Sequence, residues 1–204
     1  MWKIGFVLGL LIASIGPLRA EDISTDPLAA PDGTYQLDPA HTRVVFMCSH
    51  FGISDYIGFV QGVTGTLNWI GAKPETGGVS VEIDSSGAMT GLAAFDEDLD
   101  GPDWFDAANF PKMTFKSTSI ERTGPTTGLI TGDLTVRGIT KPITLDVTFN
   151  GGRPHPINTL AYAIGFVATG STKRSDYQMT KLLRLGVGDE VKILIHAEFI
   201  RLPE

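Results

Sequence analysis

Two runs of strict alternation meet between Gly132 and Phe149. In the first, Leu134 and Val136 share one face while Asp133, Thr135 and Arg137 share the other. In the second, Ile143, Leu145, Val147 and Phe149 point one way and Thr144, Asp146 and Thr148 the opposite way. A period of two in residues rich in Val, Ile, Thr and Phe predicts half-buried strands. Between the runs, Gly138 to Pro142 supplies a permissive glycine and a proline that the middle of a ladder excludes. The pattern therefore predicts an antiparallel hairpin with one apolar face, turning over 138–142.

Further segments alternate in the same way. Tyr35 to Pro39 reads as a short strand and turn, and His41 to Phe51 as a strand that sets Val44, Phe46, Cys48 and His50 on one side. Glycines 52, 58, 62 and 65 punctuate short strands from Tyr56 to Leu67, as at the corners of a barrel. Val79 to Ile83, Met113 to Ile120, Tyr162 to Thr172 and Glu190 to Arg201 alternate again. On the 113–120 segment the expected shared face is Met113, Phe115, Ser117 and Ser119. Leu92 to Phe110 has no period of two. It mixes six carboxylates with Phe95, Leu99, Trp104 and Phe105, and it predicts a short helix over 92–99 followed by turns. About eight strands at hairpin spacing with one helical insertion predict an all-β, antiparallel barrel.

The first residues follow another logic. Lys3, the uncharged apolar run Ile4 to Ile15, and Pro17-Leu18-Arg19-Ala20 predict a secretory signal cleaved after Ala20, since about 12 apolar residues are short for a membrane span. Residues 21–34 read as a flexible leader, and 35–204 as the barrel. The formal charge is −7, and loss of Lys3 and Arg19 makes it −9. That balance, with no basic run, argues against nucleic acid as a partner. The single cysteine, Cys48, excludes an intrachain disulfide and reads as a small buried hydrophobe.

Catalytic and metal signatures are weak. Asp96 to Gly101 opens like a calcium loop, but the twelfth position, where a bidentate Glu is required, is Ala107. His41, His50, His155 and His196 have no metal-ligand spacing, and the sequence contains no GxSxG, GxxxxGK[ST] or GxGxxG. No catalytic residue, metal or cofactor is expected. The apolar faces carrying Val44, Phe46, Phe59, Met113, Phe115, Leu134, Val136, Ile143, Leu145, Phe166 and Ile193 suit either a filled core or the wall of a ligand pore. Small residues on those faces (Cys48, Ser117, Gly132, Ala168) favour some empty space.

Several motifs are shared with a known family. Asp38 to Phe46 (DPAHTRVVF), His50-Phe51-Gly52, Gly58-Phe59, Asp103 to Pro111 (DWFDAANFP), Thr114 to Ser117, Gly132 to Pro142 (GDLTVRGITKP) and Arg174 to Tyr177 occur in order over nearly all of residues 35–200. The chain thereby resembles the YceI-like family of polyisoprenoid-binding periplasmic proteins. That resemblance implies a lipocalin-like eight-stranded barrel with a helical flap at about 92–110, and an apolar pore for a polyprenyl phosphate, an isoprenoid quinone or another long lipid. Lining residues would be Val44, Phe46, Cys48, Phe59, Met113, Phe115, Leu134, Val136 and Phe166, with His50, Arg174 and Asp176 as polar groups at the mouth. Asp98 and Gln178 stand where the family often carries His and Gly, so head-group preference is where this chain departs. The expected function is a periplasmic carrier. The rivals are a lipid-modifying enzyme with a titrating residue such as His50 in the pore, a solidly packed stress-protective adaptor, and a quinone shuttle to a membrane cytochrome. Transient membrane contact and a homodimer are compatible with the reading.

Overall fold

The computed structural model describes residues 23–158 and 160–202. The proposed signal segment lies outside the described residues. The strands are β1 (Gly33–Leu37), β2 (Arg43–His50), β3 (Ser54–Val60), β4 (Val63–Trp69), β5 (Gly78–Asp84), β6 (Ala88–Met89), β7 (Lys112–Arg122), β8 (Thr127–Val136), β9 (Ile139–Pro154), β10 (Tyr162–Lys173) and β11 (Val187–Arg201). One α-helix, α1 (Ala93–Leu99), joins β6 to the segment before β7. Eight strands form an antiparallel ring in the order β1-β4-β5-β7-β8-β9-β10-β11, closed where Gln36 and Leu37 meet Ile200 and Phe199. Beyond β1 the edge of β11 is taken over by β2, with Val44 opposite Ile195, and β3 and β6 extend that wall. Closure leaves no free sheet edge through the middle of the wall.

The hairpin forms, but its turn is tighter than the pattern predicts. Arg137 and Gly138 both have positive φ, 52° and 70°, which is the geometry of a two-residue turn that matches strand twist. Pro142 therefore lies inside β9, opposite Asp133, rather than in the turn. It is tolerated because β9 pairs with β10 only from Asp146 onward, so the missing N–H costs no second ladder.

β7 differs in parity. A bulge at Thr118 lets Ser117 pair with Gly132 and Ser119 with Thr131. Met113 and Phe115 stay inside as expected, but beyond the bulge it is Ile120, not Ser119, that turns inward.

Residues 23–34, expected as a flexible leader, lie against the barrel. Ser24 exchanges two 2.8 Å backbone hydrogen bonds with Gly152, and Asp26 caps a 3-10 turn at Pro27–Ala29. Ala30 is buried, and the Tyr35 hydroxyl donates to the Pro31 carbonyl at 2.7 Å. Burial pushes the Tyr35 phenol up to about 12.

One end of the barrel is capped. The flap of α1 and residues 100–110 buries Leu99 and Trp104 against Phe46, Phe95 and Phe105. The Trp104 indole donates to Asp98 at 2.8 Å, Lys181 binds the same carboxylate at 2.9 Å, and Arg137 donates to the Trp104 carbonyl at 2.9 Å. These contacts tie the flap to the β8–β9 turn and to the 174–185 segment. Tyr177 and Met179 of that segment close the floor with Val60, Met113 and Val136.

Candidate functional site

Above this floor runs an apolar cavity of about 220 Å³ that opens at the opposite end. Its wall is built from the inward positions of the ring: Leu37 and Val44, Leu67 and Trp69, Val79 to Ile83, Phe115, Ile130 and Leu134, Ile143 to Phe149, Phe166 and Ala168, and Ile193 to Phe199. The mouth lies between Pro27, the 71–74 loop and the β7–β8 turn, where Glu121, Arg122, Thr126 and Thr127 supply the polar groups with Asn68. Arg122 is held at the lip by donating to the carbonyls of Gly124 and Pro125 at 2.9 and 3.0 Å.

Aromatic rings narrow one side of the cavity. Trp69 and Phe149 stack at 5.6 Å between centroids, and Phe166 meets both edge-on at 5.7 and 5.5 Å. The Trp69 indole N–H, enclosed in this cluster, has no hydrogen-bond partner. The four described histidines are absent from the lining, which among titratable side chains contains only Glu121 and Arg122 at the lip. The depth of the cavity therefore offers apolar contact alone.

The expected lining residues separate into three groups. Val44, Phe115, Leu134 and Phe166 face the cavity. Phe46, Met113 and Val136 lie below it in the packed floor. The rest lie elsewhere. Phe59 points opposite to its buried neighbours Gly58 and Val60, because strand parity places it on the outer face. Cys48 donates its thiol to the Gly188 carbonyl at 3.1 Å, and burial raises its pKa. His50 sits past the floor at the end of β2, against Phe51 with ring centroids 4.2 Å apart.

The polar pair expected at the mouth is at the capped end. Arg174 is 3% exposed, and its guanidinium donates to the carbonyls of Gly188 (2.7 Å), Met179 (2.8 Å), Lys181 (2.7 Å) and Val187 (3.2 Å). Burial lowers its pKa from the ordinary value. Asp176 is exposed on the outside of the cap. Asp98 and Gln178 are also at this end, so neither touches the mouth. The expected small-residue gaps differ as well. The space beside Gly132 is filled by the Phe115 ring, and Ser117 accepts a hydrogen bond from the Val79 N–H at 2.9 Å, leaving Ala168 on the cavity wall.

Residues missed in the sequence include Trp69, Val81, Ile130 and Phe199. Alternation within β4 and β5 marks the first two, but the lip residues Glu121 and Arg122 carry no such signal.

A second cluster, Asp38, His41 and Glu198, lies outside the pore, with donor atoms within 4.8 Å of one another. Asp38 accepts from the Ala40 N–H at 2.8 Å and pairs with His41 at 2.7 Å. Partial burial would raise the Asp38 pKa, but these bonds outweigh it and hold the carboxyl low, while His41 is raised by its carboxylate partner. The trio is accounted for as a turn clamp.

A family model described as the YceI-like domain matches residues 35–199. The chain is 34% identical over 170 residues to a UPF0312 protein of Pseudomonas savastanoi pv. phaseolicola, covering 83% of this chain and 82% of the relative. Among solved structures it resembles BcnA of Burkholderia cenocepacia (24% identity, TM-score 0.68, 79% and 98% of the two chains) and the YceI protein of Campylobacter jejuni (27%, 0.66, 76% and 90%). A polyisoprenoid binding domain from Saccharophagus degradans shares the fold at 16% identity and TM-score 0.60, over 83% and 98% of the chains.

Proposed function

The chain belongs to the YceI-like family, and from that premise we propose that it is an exported, non-catalytic carrier that holds one long apolar lipid in its barrel. The observation that carries this reading is the apolar cavity, open at one end and floored at the other. Each CH₂ transferred from water to such a wall contributes about 0.8 kcal/mol, so a tail binds without any charged contact. At about 220 Å³ the cavity is smaller than a usual ligand pocket of roughly 300–1,000 Å³ and suits a slender chain. A dead end and a polar lip fix the direction: the tail enters first and the head group stays beside Glu121, Arg122 and Thr127.

The polyisoprenoid class is supported by the fold shared with the Saccharophagus domain and by the narrow bore. Export to the periplasm is supported by the apolar run Ile4 to Ile15 after Lys3. Two rivals lose their main support. A solidly packed adaptor barrel would have no cavity, and an enzyme using His50 would need that ring in the pore, which it does not line.

Native mass spectrometry of protein purified from periplasm without detergent, with organic extraction, tests the reading. The expected result is one stoichiometric long-chain lipid. Ala168→Phe, which puts a ring into the cavity, should retain the fold and lose that lipid. A wild-type mass that stays apo after incubation with polyprenols, quinones and fatty acids would overturn the carrier function.

A further inference from the structure

Isolated exposed apolar residues are ordinary on a protein surface, but a ring of them around the opening of an apolar cavity is not. Ile23 (55%), Leu28 (59%), Ile157 (89%), Leu160 (76%) and Leu202 (58%) are all exposed at the mouth end. The topology brings them together. Ile157 and Leu160 are on the β9–β10 connection, and Leu202 follows β11, whose Arg201 pairs with Tyr162 at the start of β10. The Ser24–Gly152 pairing sets Ile23 against Gly151, and Leu28 packs beside Gly71 on the cavity lip.

We propose that this rim is the face with which the protein docks on a lipid bilayer, Ile157 and Leu160 entering the acyl boundary so that the tail passes from membrane to pore without crossing water. The inference rests on the lipid-carrier reading and adds the partner and the docking face. Charge favours this occupant in this orientation. At the rim, Lys73, Arg122, Arg153 and Arg201 are balanced by Asp26, Asp32, Glu75 and Glu121. The opposite end carries the flap, whose six carboxylates between Asp96 and Asp106 are met only in part by Lys181, which pairs with Asp98 and Asp103, on a chain of net charge −7. An anionic membrane therefore repels the cap and not the mouth. The capped end also exposes apolar side chains, Phe51, Ile53, Leu182 and Leu185, beside a separate cleft lined by the 180–185 segment that shares no residue with the barrel cavity, and Ile53 and Leu185 provide an internal control.

The test compares wild type, Ile157→Asp/Leu160→Asp and Ile53→Asp/Leu185→Asp. Each is measured for co-sedimentation with phosphatidylethanolamine–phosphatidylglycerol vesicles, for transfer of a fluorescent polyprenol between vesicles, and for loading by soluble short polyprenol in native mass spectrometry. The rim variant should lose at least about tenfold in vesicle binding and transfer while loading in solution is unchanged, and the cap variant should match wild type. Vesicle binding by the rim variant equal to wild type, or its absence in wild type, would overturn the docking face. So would a rim variant that instead converts a dimer to a monomer, since a second copy would then cover the rim. A wild type that sediments with vesicles yet never loads polyprenol would sink the carrier reading and leave the docking face standing.

Discussion

At the scale of single residues the cap shows how much one buried cation organises. Four backbone carbonyls from two stretches of chain, 179–181 and 187–188, converge on Arg174. An alanine there removes the guanidinium donor from all four, with only the Cys48 thiol still serving Gly188, so Arg174→Ala should lower unfolding free energy by about 3–5 kcal/mol in urea titration. Lysine, with one nitrogen in place of a planar fork, should recover only part of the loss. Gln178 holds φ at 62°, a region that costs a side chain about 1 kcal/mol and glycine little, and the backbone there closes the turn after Arg174–Tyr177. Gln178→Gly should therefore raise the melting temperature by about 2–4 °C. Asp98 titrates with the opposite consequence for acid stability. Its hydrogen bond from Lys181, then that from Trp104, holds it below its ordinary 3.8. A lowered carboxyl stabilises the fold above its unfolded value and loses that contribution as pH falls through its folded one. The melting temperature of Asp98→Asn should accordingly lie below wild type at neutral pH, and the gap should close below about pH 4.

At the scale of elements, small irregularities decide which side chains face the cavity. The Thr118 bulge in β7 turns Ile120 inward and leaves Ser119 outside. Gly132 on β8 makes room for the Phe115 ring, and Gly138 closes the β8–β9 turn at φ 70° beside Phe110. Valine at 138 would force a β-branched side chain into that backbone, so Gly138→Val should destabilise by about 1–2 kcal/mol in urea titration. The alternation of β8 and β9 was legible because each strand buries one face only. Its turn was not. The left-handed pair is Arg137–Gly138, and arginine is no signal for φ near 52°. Arg137 is held there by tertiary contacts, chiefly its 2.9 Å bond to the Trp104 carbonyl of the flap.

For the molecule as a whole, ligand binding and stability should be linked. A lipid that binds only the folded barrel at a hundred times its Kd adds about 2.7 kcal/mol. In a chain of this size that corresponds to a rise of about 5–10 °C in melting temperature, measurable by calorimetry on extracted and reloaded protein. The sequence by itself determined the β architecture, because alternating apolar positions can be buried only by strands whose one face meets a common interior. It also marked the acidic flap and several wall residues, among them Phe115, Leu134 and Phe166. What the tertiary structure decided is where along the bore each inward residue falls. Parity puts Val44, Phe46 and Cys48 on one face, but only closure of the ring shows that the first lines the cavity, the second packs its floor and the third serves the cap. The same holds for Arg174 and Asp176. Their residue types suit a head group, yet the packed floor and the flap beneath it set them at the end away from the cavity mouth. Periodicity reports which side of a strand a residue occupies; depth along a barrel depends on register and on what closes its ends, and those are fixed by contacts between distant parts of the chain.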